Sequence, residues 1–116
     1  MLTRLVPNIF YASMDDGLDL FVKCLGFTVL HQGGALTVVG RDGVKACLVE
    51  DAQFAAKDRP EITLETDDID AIHAEIAASW PAYLHPNGKT VAKKPWGALE
   101  FAVRDKTDVC VIFRQW

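Results

Sequence analysis

Apolar and polar residues alternate over several short stretches of the chain and fall at helical spacing over two others. Residues 3–11 read as a strand, with Leu5, Pro7, Ile9 and Tyr11 on one side and Val6, Asn8 and Phe10 on the other. Ser13, Asp15 and Asp16 supply helix N-cap chemistry, and Leu18, Phe21, Val22 and Leu25 follow at helical spacing up to Gly26. Strands are predicted at 27–31, 35–39 and 44–50, joined by turns at Gly33-Gly34 and Arg41-Asp42-Gly43. Residues 51–59 are polar and read as a linker. A strand at 61–66 follows, then a helix capped by Asp67 or Asp68. It carries Ile69, Ile72, Ile76 and Ala77 and is stopped by Pro81. A short strand is predicted at 82–85, a turn at Pro86-Asn87-Gly88, an irregular stretch at 91–97, and a closing hairpin of 99–104 and 109–114.

The same order of elements thus occurs twice. Residues 38–49 match residues 101–112 at an offset of 63, which pairs Arg41 with Arg104 and Cys47 with Cys110. Ile9 to Asp16 match Ile62 to Asp68 at an offset of 52 to 53. The second copy is longer by about ten residues between its second and third strands, and such loops often carry function. Two βαβββ modules, about 1–52 and about 58–116, predict one α+β domain. Its expected architecture is a curved eight-stranded mixed sheet with the helices on the outer face and the other face open to a ligand.

Composition narrows the partners. The chain has 116 residues, half of them hydrophobic, and a net charge of -4, which suits a single domain with a real core. No run of basic residues favours nucleic acid, and no apolar stretch reaches the ~18 residues of a membrane span. No signal peptide is evident at the N-terminus. Three cysteines form no CxxC pair, so a reduced, cytoplasmic setting is expected. Cys47 and Cys110 read as small apolar strand residues.

Leu20-Phe21-Val22-Lys23-Cys24-Leu25-Gly26-Phe27 resembles the end of the first helix in the vicinal oxygen chelate superfamily, the glyoxalase, bleomycin-resistance and dioxygenase group. Val6-Pro7-Asn8-Ile9 and the segment from Pro95-Trp96-Gly97 through Glu100-Phe101 to Arg104-Asp105 are similar to its bleomycin-resistance branch. The branch's usual DPDG turn reads Asp105-Lys106-Thr107-Asp108 here. The resemblance implies a homodimer that holds a small molecule at the subunit interface. It also places the metal ligands of the superfamily's enzymes. The eighth-strand carboxylate falls on Ile112, its first-half twin on Val49, and the fifth-strand ligand on Glu61. Isoleucine and valine cannot ligate, so no metal and no other cofactor is expected.

Strand alternation gives a candidate ligand face of Asn8, Phe10, Glu61, Thr63, Glu100, Ile112 and Arg114, with Trp96 at the end of the long loop positioned to cover it. Glutamates beside aromatic side chains favour a cationic or aromatic ligand, unless Glu65 and Glu100 are solvated or paired with Arg114 or Arg104. His31, His73 and His85 read as surface residues, and Trp80 and Trp116 as packing or interface residues. No nucleophile motif is present, and no catalytic residue is assigned. The sequence therefore favours a binding protein that sequesters its ligand over an enzyme. The alternative is a glyoxalase- or dioxygenase-type enzyme with atypical metal ligands, or with Glu61 or Glu100 as a metal-free general base.

Overall fold

A computed structural model describes residues 1–57 and 59–116. The chain divides into two compact units, Met1–Asp58 and Arg59–Trp116. The first contains β1 (Asn8–Tyr11), α1 (Met14–Leu18), β2 (Thr28–Gly33), β3 (Leu36–Arg41), β4 (Val44–Glu50) and α2 (Ala52–Ala55). The second contains β5 (Glu61–Glu65), α3 (Ile69–Ser79), β6 (Ala92–Lys93), β7 (Leu99–Arg104) and β8 (Cys110–Gln115). The expected α+β class and doubled βαβββ order hold. In hydrogen bonding, the single eight-stranded sheet is two four-stranded mixed sheets, ordered β1-β4-β3-β2 and β5-β8-β7-β6.

In each unit the first strand runs parallel to the last, β1 with β4 and β5 with β8, and the other pairings are antiparallel. A parallel pair needs a crossover, and the helical segment supplies it. The core side of the first sheet carries Ile9, Tyr11, Val39, Ala46 and Leu48, all buried. The second carries Phe101, Val103, Val111 and Phe113. Phe101 stacks on Phe113 with ring centroids 5.0 Å apart. α3 lays Ile69 and Ile76, two turns apart, against this side.

The first helix differs from its expected form. After α1 the chain continues as a π-helix over Asp19–Cys24, which brings Leu20, Phe21, Cys24 and Leu25 into the core. A 3.6-residue period does not reveal this wider turn. Ser13 makes no side-chain cap bond. Instead the Met14 amide donates to the Glu50 carboxylate at 2.8 Å, from the end of β4. Gly26, at φ +72°, ends the segment, and Arg41 Nη1 donates to the Leu25 carbonyl at 2.8 Å. The guanidinium thus satisfies a carbonyl that the helix leaves orphaned.

Other boundaries shift for local reasons. The first strand begins at Asn8 rather than residue 3, and Met1, Leu2 and Leu5 are exposed. The expected linker holds α2, because the Asp51 carboxylate accepts from the Phe54 amide at 3.0 Å; its residue 58 lies outside the described residues. Asp68 caps α3 through the Ala71 amide. Pro81 does stop α3, but it opens a 3₁₀ turn, Pro81–Tyr83, where a strand over 82–85 was expected. Only Leu84 bridges to Val103, and β6 forms later at Ala92–Lys93.

The repeat is also sharper in space than in sequence. Asn8 pairs with Cys47 and Glu61 with Cys110, so the offsets of 53 and 63 hold for β1/β5 and β4/β8. On the third strand they do not. Cys47 faces Val38, whereas Cys110 faces Arg104, an offset of 66. The β3–β4 turn is the two-residue Asp42-Gly43 pair, both at positive φ. The β7–β8 turn needs five residues, 105–109, between Arg104 and Cys110. It is organised by the buried Asp105 carboxylate, which accepts from the Thr107 amide at 2.8 Å, the Thr107 hydroxyl at 2.7 Å and the Val109 amide at 3.1 Å.

Gly17 is buried where α1 packs on its sheet. A Cβ there would meet the buried Tyr11 ring at 2.8 Å and Leu48 Cδ1 at 3.2 Å. Gly17→Ala gains about 1 kcal/mol of helix propensity but overpacks a fixed ring, at a cost of about 1–3 kcal/mol. A net loss of stability is expected in urea denaturation, and an unchanged or raised midpoint would refute the contact. Burial pushes the Cys24 thiol up to about 12. Iodoacetamide at pH 8 should therefore leave Cys24 unmodified until the protein is unfolded, as read by peptide mass mapping.

Candidate functional site

The β-pairings of the second unit put Glu61, Thr63, Glu65, Glu100, Ala102, Cys110, Ile112 and Arg114 on the sheet face opposite Phe101 and Phe113. Alternation had assigned these residues to one side, and the register brings them there. Asn8 and Phe10 belong to the first unit, on the equivalent face beside Cys47 and Val49. Phe10 stacks on Phe54 at 5.0 Å, with the Lys57 ammonium 4.5 Å from the Phe54 ring centre.

A cavity of about 410 Å³ opens on this face of the second unit. Glu61, Glu100 and Ile112 line it, together with Ala92, Ala102 and Cys110. Thr63, Trp96 and Arg114 are not part of its lining. The opposite wall is the extra segment of the second copy, from His85 to Thr90, with Lys94 beyond it.

That segment is a pinned excursion of the chain beside β7. The His85 amide donates to the Ala102 carbonyl at 2.9 Å, and the Ala102 amide donates to the Gly88 carbonyl at 3.0 Å. A Cβ on Gly88 would meet the Ala102 backbone amide at 3.3 Å, so glycine lets the two backbones approach. The Asn87 amide donates to His85 Nδ1 at 3.0 Å, which leaves Nε2 to carry the proton of the neutral ring. His73, expected at the surface, is half-buried. Its ring packs edge-on against Phe101 at 4.9 Å, and Nε2 bonds the Lys89 carbonyl at 2.6 Å. α3 thereby holds the far wall. No periodicity marks a histidine for this role, and the only sequence signal was the extra length of the second copy.

Glu100 is buried, at 5% relative exposure. Its Oε2 accepts from Arg114 Nε at 2.7 Å and from Trp96 Nε1 at 2.8 Å. Burial pushes the Glu100 carboxyl up, but these two bonds, with the charges of Arg114 and Lys94, outweigh it and hold the group below its ordinary value. The expected covering residue Trp96 is thus tethered to the Glu100 carboxylate while remaining 55% exposed as a residue. Trp116 does the same at the sheet edge: its Nε1 donates to Glu65, and the Arg114 guanidinium lies 5.7 Å from its ring centre. The pairing of Glu100 with Arg114 that the sequence left open is the one adopted. Burial first, and then the Glu61 charge, raise the Cys110 thiol against the opposing pull of Arg104, so the cavity presents a neutral thiol.

Among the described residues, no three His, Cys, Asp or Glu side chains gather to hold a metal ion. Ile112 occupies its place on β8 with an alkyl group facing the cavity. The residues present do not fit the superfamily's divalent metal.

No family model and no curated relative matches the chain. Solved structures do. A bleomycin-binding protein from the bleomycin producer Streptomyces verticillus, complexed with copper(II)-bleomycin, is 27% identical, with 97% of each chain covered and a TM-score of 0.73. Another bleomycin-binding protein, complexed with bleomycin, is 14% identical over 99% of each chain, with a TM-score of 0.78. A member of the glyoxalase/bleomycin resistance protein/dioxygenase superfamily from Sphaerobacter thermophilus is 17% identical over 99% of this chain and 98% of its own, with a TM-score of 0.72. The chain has the vicinal oxygen chelate fold of these proteins. No helix among the described residues is long and apolar enough to cross a membrane.

The folded-state carboxyl of Glu100 lies below the ordinary 4.5. The stability it contributes is complete above about 4.5 and is lost as pH falls through the lower folded value. Glu100→Gln should cost about 1 kcal/mol near neutral pH and flatten the acid limb of the stability–pH curve. Urea midpoints between pH 2.5 and 7 measure both. Identical acid limbs in the two proteins would refute the ion pair's role.

Proposed function

We propose that this chain is a small-molecule-binding protein of the bleomycin-resistance type, a single domain that sequesters its ligand without converting it. The observation that carries this reading is the state of Glu100. The most buried carboxylate of the cavity is bonded to Arg114 and Trp96 and held below its ordinary value. A general base working near neutral pH needs the opposite shift. Alkyl groups at Ala92, Ala102 and Ile112 and a neutral Cys110 thiol, which also line the cavity, favour retention over chemistry. A cavity of about 410 Å³ falls within the size range of small-molecule sites.

The ligand we envisage combines an amine, facing Glu61, with an aromatic group, for which the exposed ring of Trp96 is held ready. Two solved structures of the same fold are named as bleomycin complexes, which makes bleomycin the first compound to try. Assembly as a cytoplasmic homodimer, with Asn8 and Phe10 contributing to ligand contacts, is part of the same proposal.

Isothermal titration with bleomycin and with copper(II)-bleomycin is expected to give saturable binding, with each compound recovered intact by mass spectrometry. Trp96→Ala should weaken binding about 5- to 30-fold, the range for loss of an aromatic contact of ~1–2 kcal/mol. Chemical conversion of the bound compound would overturn the reading.

A further inference from the structure

The charges around the cavity do not match a purely cationic ligand. Glu100 is neutralised by Arg114 and accepts a hydrogen bond from the Trp96 N–H. Glu65, on the same sheet face, accepts from Trp116. Of the glutamates on this face, Glu61 alone lines the cavity without a salt bridge among the described residues. Two lysines share the cavity with it. Lys89 and Lys94 both line the cavity, and neither is drawn into a salt bridge among the described residues. Lys94 adds its charge to those around Glu100, so the Glu100 side of the cavity is, on balance, positive.

Both lysines sit on fixed backbone. The Lys89 carbonyl is bonded by His73 Nε2 at 2.6 Å. The neighbouring Gly88 carbonyl is bonded by the Ala102 amide at 3.0 Å. The Lys94 amide donates to the Ala98 carbonyl at 2.8 Å, and the Gly97 amide donates to the Lys94 carbonyl at 2.9 Å. Two lysines on pinned backbone, one carboxylate and the alkyl groups of Ala92, Ala102 and Ile112 thus line a single cavity. Two cationic groups that line one concave surface attract an anion more strongly than isolated surface lysines do.

We infer that the cavity recognises an amphoteric small molecule. Its acidic group, a carboxylate or comparable oxyanion, docks on Lys89 and Lys94. Its body lies on Ala92, Ala102 and Ile112, and its amine points at Glu61. This rests on the small-molecule reading above and adds the requirement for an acidic group, which that reading does not contain.

The test is ¹⁹F NMR of a fluorinated aromatic fragment library with equal numbers of amines, carboxylates, amino acids and neutral amides. It is run on the native protein and on the Lys89→Gln/Lys94→Gln and Glu61→Gln variants. Both lysine side chains are absent from the backbone bonds that hold the wall, so the double variant should fold, and circular dichroism checks this. Amino acids and carboxylates should predominate among the hits. The lysine variant should weaken them ~3- to 10-fold, the range for one or two partly exposed ion pairs, and leave simple amines unweakened. Glu61→Gln should erase the advantage of amino acids over carboxylates. Hits dominated by amines, or acids bound equally by the lysine variant, overturn the amphoteric ligand and leave the small-molecule reading standing. If neither bleomycin nor any fragment binds, both fall.

Discussion

In each half of the molecule the first strand lies parallel to the last, and almost everything else follows from that pairing. A parallel neighbour cannot be reached through a tight turn. The chain must leave β1 or β5 over one face of the sheet, and its helical segment covers that face. The pleat then assigns alternate residues to opposite sides. Ile62, Leu64, Val111 and Phe113 fall on the side that α3 covers, while Glu61, Thr63, Ile112 and Arg114 fall on the other. The composition of the open face is therefore a by-product of how the covered face is built.

On that open face, a buried carboxylate and a length of extra chain together make a cavity. Burying Glu100 is unfavourable unless it is paired, and Arg114 and Trp96 supply the pairing. The pair lies across the two central strands of the sheet and fixes an indole there. The extra segment rises beside β7 because Gly88 allows it to touch Ala102 and because His73 reaches up from α3 to the Lys89 carbonyl. Arg114 and Trp96, which do not hold that wall, keep the carboxyl of the cavity's most buried acid below its ordinary value.

The sequence carried the fold well, for an identifiable reason. Strand pleat and helical period are local, and both are strong in Ile62-Thr63-Leu64 and in Ile69, Ile72 and Ile76. Register could be read because one face of each sheet is markedly apolar. What could not be read depended on contacts distant in sequence. Glu50 capping α1, His73 holding Lys89, and the choice of Arg114 as the partner of Glu100 are hydrogen bonds made by side chains across 36, 16 and 14 positions. The cavity lysines were hidden in a segment without periodicity. The π-helical turn was hidden because a sequence of apolar residues does not state how tightly it is wound.

Arg41 and Arg104 align perfectly as letters, yet the first bonds the Leu25 carbonyl of a helix end while the second sits exposed near Asp108, at 3.9 Å. The longer β7–β8 turn moved β7 by three residues, an odd number, and so turned its side chains over relative to their apparent counterparts. Ancestry traced by matching characters would pair residues that have exchanged inside for outside. Once two copies share a chain, a hairpin that lengthens by an odd count releases every residue of that strand from its inherited duty. A buried acid could then appear in the second copy without any equivalent in the first.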